Sequence, residues 1–472
     1  MPSRPRRFDR TLRADNSLYL MSAQVPVRRA SGATTPLAGA RPADRGGDTL
    51  RVALLVYRGN PHSGGQGVYT RYLARELVNL GHQVTVFAGQ PWPVLDEGTG
   101  FVPVPSLDLY RQPDPFRVPK PWEFRSSIDV AEFALMCTAG FPEPRTFSWR
   151  VRRELAKRAG QFDVVHDNQT FGTGLLGVMD DGWPLLGTCH HPITVDRSLD
   201  LEHAENWRRK ITLRRWYGFL GMQMRVARQV PRILTVSSSS KRDIVDQYDI
   251  RPEQLEVVPI GADHNHFRPH PEIARVPGRI MTTASADVPF KGLLPLVEAV
   301  AKLRTERPDV HLVVVGRLRA ESPVAAAIER LGLEGAVTFE SGVSDDRMVE
   351  LYAEANVAVV PSLYEGFSLP AVEALACGVP LVATTGGALP EVVGEDGVTG
   401  LLVPPGDAGA LALAITSVLD DPQLAARLSD AGRRRVLQRF TWQACAAATA
   451  DHYRWVIEDK RRRSGMDPLP AC

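Results

Sequence analysis

Short apolar runs alternate with amphipathic stretches along most of this chain. Residues 51–57 form a continuous apolar run, typical of a strand buried on both faces. A glycine-rich loop follows, and apolar positions at helical spacing then continue from residue 68 to residue 80 and stop at Gly81. The next strand-like run is Gln83–Ala88. This order predicts a strand, a helix and a second, parallel strand.

The same alternation continues to the end of the chain in two series. The predicted strands lie at residues 162–166, 184–190, 232–237 and 255–260, and then at 280–284, 311–316, 336–339, 357–361, 380–384 and 400–403. Strands that alternate with helices predict an α/β fold, here with two doubly wound parallel sheets in two domains. Ligands of such sheets bind at the carboxyl ends of the strands. Two facing sheets therefore predict a ligand in the cleft between the domains.

Changes in composition along the chain suggest its division into domains. Residues 1–48 are rich in Arg, Ser, Ala and Pro and lack the apolar core of a signal peptide, so we expect a disordered extension. The first domain is predicted at 49–266, a proline-rich linker at 267–278 and the second domain at 279–441. We expect a last helix, at 442–460, to pack back on the first domain.

The overall composition excludes several classes of protein. The net charge is +2, so no nucleic acid partner is indicated. The five cysteines lack disulfide or metal-site spacing, which favours a reducing, cytoplasmic location. No apolar run reaches the roughly 18 residues that a membrane-spanning helix needs.

The segment 361–378 carries the most informative chemistry. Ser368 is a candidate N-cap, Pro370 falls in the first turn of a helix, and Gly378 suits the stop. This pattern places Glu365 in a loop and Glu373 on the new helix.

The backbone N–H groups at the start of that helix can hold an anion. Those of Phe367, Ser368 and Leu369 point out of a helix N-terminus, which favours a phosphate. Two acids beside such a site suit a sugar nucleotide, with one acid for ribose hydroxyls, one for the sugar and N–H groups for the diphosphate. The alternative is two acids on the surface without a ligand.

Further candidates lie at the ends of other predicted strands. Gly64 and Gly65 follow the first strand and allow close approach of a phosphate, although the spacing is not that of a dinucleotide fingerprint. His190, or His166 as a second candidate, can bind a sugar hydroxyl, and His191 is expected to point to the opposite face. Lys291 can neutralise a leaving diphosphate. Each also has a purely structural interpretation, as a turn residue or a buried histidine.

The segment 207–228 combines seven basic residues with aromatic ones on a predicted helix. This composition is typical of contact with an anionic membrane surface, or of a solvated basic face packed by its aromatics. The cysteines lead us to expect a cytoplasmic protein, and this segment makes peripheral membrane association one interpretation. No acidic metal-binding pair is apparent, so we predict a site without metal or other cofactor.

Several of these motifs together resemble the retaining GT-B glycosyltransferases of family 4. They are the glycines after the first strand, the Thr-x-His strand end, the segment from Ser362 to Glu373, Gly386-Gly387-Ala-Leu-Pro-Glu391 and the segment 396–406. The resemblance covers about residues 50–460. It implies a GT-B fold and transfer of a sugar from a nucleoside diphosphate donor to an acceptor hydroxyl with retention. The acceptor, a lipid-linked molecule or a glycan, is expected in the first domain.

The resemblance also implies roles for single residues. Gly65 and Lys291 bind the diphosphate, Glu373 the ribose and Glu365 the sugar ring. His190 contacts the transferred sugar. The remaining donor contacts are expected from Gly64, Gly342 and Val343 near the base, Gly366, Phe367, Ser368 and Leu369.

The chain departs from the family pattern at two places. Where the family has an arginine five residues before the lysine, this chain has Ala286, with Arg317 as a candidate replacement and Asp287 nearby. The long segment 114–145 is read as an elaboration on the acceptor side. Two other functions stay open, an epimerase or phosphorylase of the same fold and a non-catalytic nucleotide-sugar-binding protein.

Overall fold

The computed structural model describes residues 49–60, 65–111, 114–202, 204, 206–284 and 288–465. Gly64, Ala286, Asp287 and the expected extension at 1–48 lie outside the described residues. Among the described residues, two parallel sheets form two lobes. This confirms the predicted α/β class with two doubly wound sheets.

The first lobe contains a sheet of seven strands within the described residues, in the order β3-β2-β1-β4-β5-β6-β7. Its strands are β1 (Arg51–Val56), β2 (Gln83–Ala88), β3 (Gly100–Pro103), β4 (Val164–Asn168), β5 (Leu185–Thr188), β6 (Arg232–Thr235) and β7 (Leu255–Val257). Its helices are α1 (Gln66–Asn79), α2 (Ser127–Cys137), α3 (Glu143–Ala156), α4 (Gly174–Asp180), α5 (Thr194–Glu202), α6 (Trp207–Trp216), α7 (Leu220–Ala227) and α8 (Ser238–Tyr248).

The second lobe contains a sheet of six strands in its described part, in the order β10-β9-β8-β11-β12-β13. Its strands are β8 (Arg279–Thr283), β9 (His311–Val315), β10 (Val337–Glu340), β11 (Val357–Val360), β12 (Leu381–Thr384) and β13 (Leu401–Val403). Its helices are α9 (Leu293–Arg304), α10 (Pro323–Arg330), α11 (Asp345–Glu354), α12 (Leu369–Ala376), α13 (Leu389–Val393), α14 (Ala408–Asp420) and α15 (Pro422–Arg439). The chain then forms α16 (Trp442–Arg463).

Helix α16 leaves the second lobe and packs on the first. It contacts α1, β4 and β5. Trp442 stacks on Tyr72, with ring centroids 5.4 Å apart. The hydroxyl of Tyr453 lies 2.8 Å from Nδ1 of His166 in the core of the first lobe. The lobes are therefore joined by the chain between β7 and β8 and again by the start of α16.

Two local predictions are wrong. Strand β3 was not predicted, because Gly100 and Pro103 weaken its strand pattern and it pairs only at the sheet edge, with β2. The expected single helix at 207–228 is two helices, α6 and α7, separated by a 3-10 turn at Tyr217–Phe219. Gly218 lies in that turn, and Trp216 and Phe219 both pack on Phe141. These contacts with the 114–145 segment override the helical pattern.

The described residues contain no helix that is both long and apolar enough to cross a membrane. On α6, Trp207 and Ile211 are exposed among basic residues, whereas Leu213 is buried. Contact of this helix with an anionic surface stays a prediction.

Candidate active site

The loop between β11 and α12 (residues 361–368, called here the β11–α12 loop) forms the centre of the candidate site. Ser368 is the N-cap of α12, and its hydroxyl accepts a hydrogen bond from the N–H of Ala371. Gly378 follows the helix with φ +68°. The local prediction for this helix is confirmed, and Glu365 lies in the loop with Glu373 on α12.

Glycines let the neighbouring loops pack closely on the β11–α12 loop. A Cβ on Gly292, which follows Lys291, would lie 1.9 Å from the carbonyl oxygen of Pro361. A Cβ on Gly387 would lie 2.2 Å from the carbonyl oxygen of Glu365. Both glycines have positive φ, +68° and +63°. Any side chain there would displace the loop, so these two glycines fix where Glu365 lies relative to Lys291.

Lys291 and Glu365 form an ion pair at the carboxyl ends of β8 and β11. The Nζ atom of Lys291 donates to Oε1 of Glu365 at 2.8 Å. The hydroxyl of Ser362 donates to the same oxygen at 2.7 Å. The sequence predicted both residues in the site but not this pairing, which joins residues 74 positions apart.

Three backbone donors lie at the start of α12. In the described part of the chain, the N–H groups of Phe367, Ser368 and Leu369 find no backbone acceptor. Ser368 has φ +90°, an uncommon conformation for a residue with a side chain. The side chain of Phe367 is buried against Phe440, so only its backbone is available to a ligand. This arrangement can bind an anion through N–H groups and the helix dipole.

Glu373 lies on α12 behind these donors. Burial raises the pKa of its carboxyl group to about 7, and the negative charge of Asp345 adds to the effect. A carboxyl group that titrates near neutral pH is often found at a functional site.

His190 lies in the first lobe, two residues after the end of β5. Its Nε2 is 2.8 Å from Oδ1 of Asn168, an oxygen that can only accept, so the Nε2–H donates. Burial, together with a smaller effect of the neighbouring His191, lowers the pKa of His190 to about 3. His190 is therefore a neutral imidazole, with Nδ1 as its acceptor atom. The sequence did not reveal Asn168, which also binds the carbonyl of Gln66 and so ties His190 to the loop of Gly65.

His166, the second candidate, belongs to the core. It is completely buried between Tyr453 and Thr188, both within hydrogen-bond distance. A ligand cannot reach it, so this prediction is wrong.

His191 faces the second lobe rather than the opposite side of the sheet. Its Cβ lies 3.4 Å from the position that a Cβ on Gly366 would take. Burial lowers the pKa of His191, but the hydrogen bond to Asp196 and the charge of Asp196 outweigh it, and the net pKa is raised. The charges of Lys291 and Glu365 also act on the pKa of His191, in opposite directions.

The remaining predicted residues lie around this centre. Gly65 is the N-cap of α1, with φ +71°. Gly342 and Val343 follow β10, two strands away from β8, and a Cβ on Gly342 would meet nothing within 4 Å. Arg317 is exposed at the end of β9, next to β8. Among the described residues, no cluster of three or more His, Cys, Asp or Glu is placed to hold a metal ion.

Two models of known protein families match this chain. The family model described as Glycosyltransferase Family 4 matches residues 63–266. The model described as Glycosyl transferases group 1 matches residues 272–435. The chain belongs to the GT-B glycosyltransferases of family 4, which confirms the resemblance seen in the motifs.

Individual proteins are similar to this chain over most of their length. The chain is 53% identical over 409 residues to the MMP alpha-(1->4)-mannosyltransferase of Mycolicibacterium hassiacum, across 86% of this chain and 98% of that protein. The structure is similar to sucrose-phosphate synthase from Thermosynechococcus elongatus, with a TM-score of 0.63, 23% identity and coverage of 86% of this chain and 99% of the other. It is also similar to HepE from Anabaena in complex with UDP and glucose, with a TM-score of 0.61, 20% identity and coverage of 85% and 99%.

Proposed function

We propose that this protein transfers a mannosyl group from a nucleoside diphosphate sugar to a hydroxyl of a glycan, with an α-(1→4) linkage and retention at the anomeric carbon. The observation that carries the proposal is the meeting of Lys291, Glu365 and the amides at the start of α12 at one edge of the second lobe, opposite His190. The mannosyl group and the linkage rest on the 53% identity to a mannosyltransferase of that specificity.

On the donor side, the positive charges and backbone donors would bind the diphosphate. Lys291 exchanges its ion pair with Glu365 for the phosphate oxygens, and the amides of Phe367, Ser368 and Leu369 add hydrogen bonds. Gly65 allows close approach from the first lobe. Further along the donor, Glu373 accepts from the ribose hydroxyls, and Gly342 and Val343 border the base.

The chemistry follows from this binding. The bond between the anomeric carbon and the diphosphate oxygen breaks, and the acceptor oxygen forms its bond on the same face of the sugar. Because the acceptor attacks on the face that the diphosphate leaves, no side chain is needed as a covalent nucleophile. The acceptor proton passes to the leaving phosphate, so no side chain is needed as a base. Lys291 and the helix N-terminus stabilise the negative charge that develops on the leaving group. In this proposal, protein groups supply the positive charge that stabilises the leaving diphosphate. The reaction is proposed to proceed without a metal.

Product analysis tests the proposal. The purified protein, treated with EDTA, is incubated with a panel of nucleoside diphosphate mannoses and with mannose oligosaccharides, and products are identified by mass spectrometry and NMR. We expect a product longer by one α-(1→4)-linked mannose. A β-linked product, dependence on added metal, or no transfer from any donor in the panel would contradict the proposal.

Substitutions at the ion pair test the assigned roles. We expect Lys291→Ala or Glu365→Ala to lower kcat/KM by about 10²–10³-fold, because each removes a group that acts where charge develops. Lys157→Ala is the control, since Lys157 is an exposed surface residue at the C-cap of α3 and its loss should leave turnover unchanged. Near-normal turnover in either folded variant would refute its role.

A further inference from the structure

One carbonyl group of the β11–α12 loop is bound by the other lobe. The carbonyl oxygen of Gly366 accepts a hydrogen bond from the hydroxyl of Ser237 at 2.6 Å and another from the hydroxyl of Ser240 at 3.0 Å. Both serines belong to the first lobe, Ser237 as the N-cap of α8 and Ser240 in its first turn. Both are almost completely buried, at 2% and 0% exposure.

Other contacts hold α8 against the same part of the second lobe. The carboxylate of Glu391, on α13, accepts hydrogen bonds from the N–H groups of Ser238 and Ser239, each at 2.7 Å. The hydroxyl of Tyr364 donates to Asp243. A negative charge at a helix N-terminus is favourable, so this contact between the lobes has electrostatic as well as geometric support.

Space around Gly366 is also limited. A Cβ on Gly366 would lie 3.2 Å from Oγ of Ser240 and 3.5 Å from the carbonyl oxygen of His190. The loop that carries Glu365 therefore lies directly against the loop that carries His190.

The bonded carbonyl fixes the neighbouring amide. In a trans peptide the C=O of Gly366 and the N–H of Phe367 point in opposite directions within one plane. Two hydroxyl donors on that oxygen therefore set the direction of the Phe367 N–H, which has no backbone acceptor among the described residues. Ser368, the residue after Phe367, has a strained φ of +90°. A strained conformation persists only where surrounding contacts enforce it.

We propose that Ser237 and Ser240 are positioning residues for sugar transfer. From the first lobe, they orient the Gly366–Phe367 peptide so that its amide is aimed at the charge that develops on the leaving diphosphate. The donor site is thus complete only when both lobes are in contact. This proposal rests on the proposed function, and it adds two residues that do not touch the substrate.

The two serines differ in their contribution to stability, because only Ser237 also caps a helix. Substitutions of the two therefore separate a positioning role from a structural one. Ser237 also caps α8, since its hydroxyl accepts from the N–H of Ser240 at 2.9 Å. Ser237→Ala therefore removes a cap together with the carbonyl bond. Ser240→Ala removes only the bond to Gly366. Ser237→Thr keeps a hydroxyl for both bonds.

The kinetic experiment compares these variants with a control in the same turn of α8. We expect Ser240→Ala and Ser237→Ala each to lower kcat about tenfold, the equivalent of one hydrogen bond. Donor Kd should change less than about threefold, because the bond acts mainly on the transition state. Ser237→Thr should restore kcat. Ser238→Ala, at an exposed position that keeps its backbone N–H, should match wild type.

A second measurement does not depend on turnover. The amide nitrogen chemical shift of Phe367, which responds to hydrogen bonds on the carbonyl of the same peptide, should change in Ser237→Ala/Ser240→Ala but not in Ser238→Ala. If wild type transfers no sugar, the proposed function fails, and this chemical shift still reports on the serines. Unchanged kcat in the folded variants, or an unchanged chemical shift in the double variant, would overturn the positioning role.

Discussion

At the scale of single residues, the charge state of Glu373 depends on its surroundings. Its side chain lies on α12 near Asp345, and burial raises its pKa to about 7. The ordinary pKa of a glutamate is near 4.5. Between about pH 4.5 and pH 7, Glu373 therefore keeps its proton in the folded protein but has released it in the unfolded chain. Glu373 therefore stabilises the fold below about pH 4.5, and this contribution is lost as the pH rises through 7.

The same titration should govern donor binding. If ionised Glu373 accepts hydrogen bonds from ribose hydroxyls, donor affinity should rise about tenfold between pH 6 and pH 8. We expect Glu373→Gln to abolish this pH dependence and to reduce the loss of stability over the same range. Isothermal titration and thermal unfolding at several pH values measure both effects. Glu350→Gln, at an exposed position on α11, is the control. A pH profile that persists in Glu373→Gln would assign the titration to another group.

At the scale of elements, helix α12 is held at both ends. Ser368 caps its N-terminus, and Arg433 of α15 binds the carbonyl of Ala376 at its C-terminus, at 2.7 Å. The same guanidinium donates to the carbonyls of Phe267 and His264, which precede the second lobe. One arginine thus fixes α12 to the segment that connects the lobes.

We expect Arg433→Ala to destabilise the protein by about 2–3 kcal/mol, since three carbonyls lose a charged donor. The melting temperature should fall by several degrees. Arg434→Ala, at the next and exposed position, should stay within about 0.5 kcal/mol of wild type. Equal effects of the two substitutions would show that the carbonyl bonds contribute little.

At the scale of the whole molecule, α16 completes the first lobe although it follows the second in sequence. Trp442 is 1% exposed and packs on Tyr69 and Tyr72 of α1. Tyr69 in turn contacts the ring of His190 at 4.7 Å between centroids. The last helix therefore supports the wall of the site that the first lobe provides.

Trp442→Ala should cost about 3–5 kcal/mol, because it leaves a large cavity between α16 and α1. Trp207→Ala is a matched control, since Trp207 is 66% exposed on α6. Thermal unfolding measures the loss, and hydrogen exchange should locate it in α1 and α16. Comparable melting temperatures for the two variants would argue against a structural role of α16.

The Trp207→Ala protein also tests the predicted membrane contact of α6. Wild type should bind anionic vesicles at low ionic strength and release them as salt is added, and the variant should bind less. If the wild-type protein does not bind such vesicles, this prediction is wrong.

The sequence by itself determined features that depend on neighbouring residues. Apolar runs and helical spacing gave both sheets, and the cap, proline and glycine of residues 368–378 gave α12, because capping acts within a few positions. The motifs also brought Lys291, Glu365 and Glu373 into one hypothesis. Two features were not predicted. Edge strand β3 has a weak strand pattern, and tertiary contacts override the helical pattern at the break between α6 and α7.

Only the tertiary structure decided how these residues interact. The pairing of Lys291 with Glu365, the two serine hydroxyls on the carbonyl of Gly366 and the raised pKa of Glu373 join positions far apart in the chain or depend on burial. Hydrogen bonds and burial of this kind follow from the packing of elements within the second lobe and of one lobe on the other. A pattern of residue types carries no information on those distances.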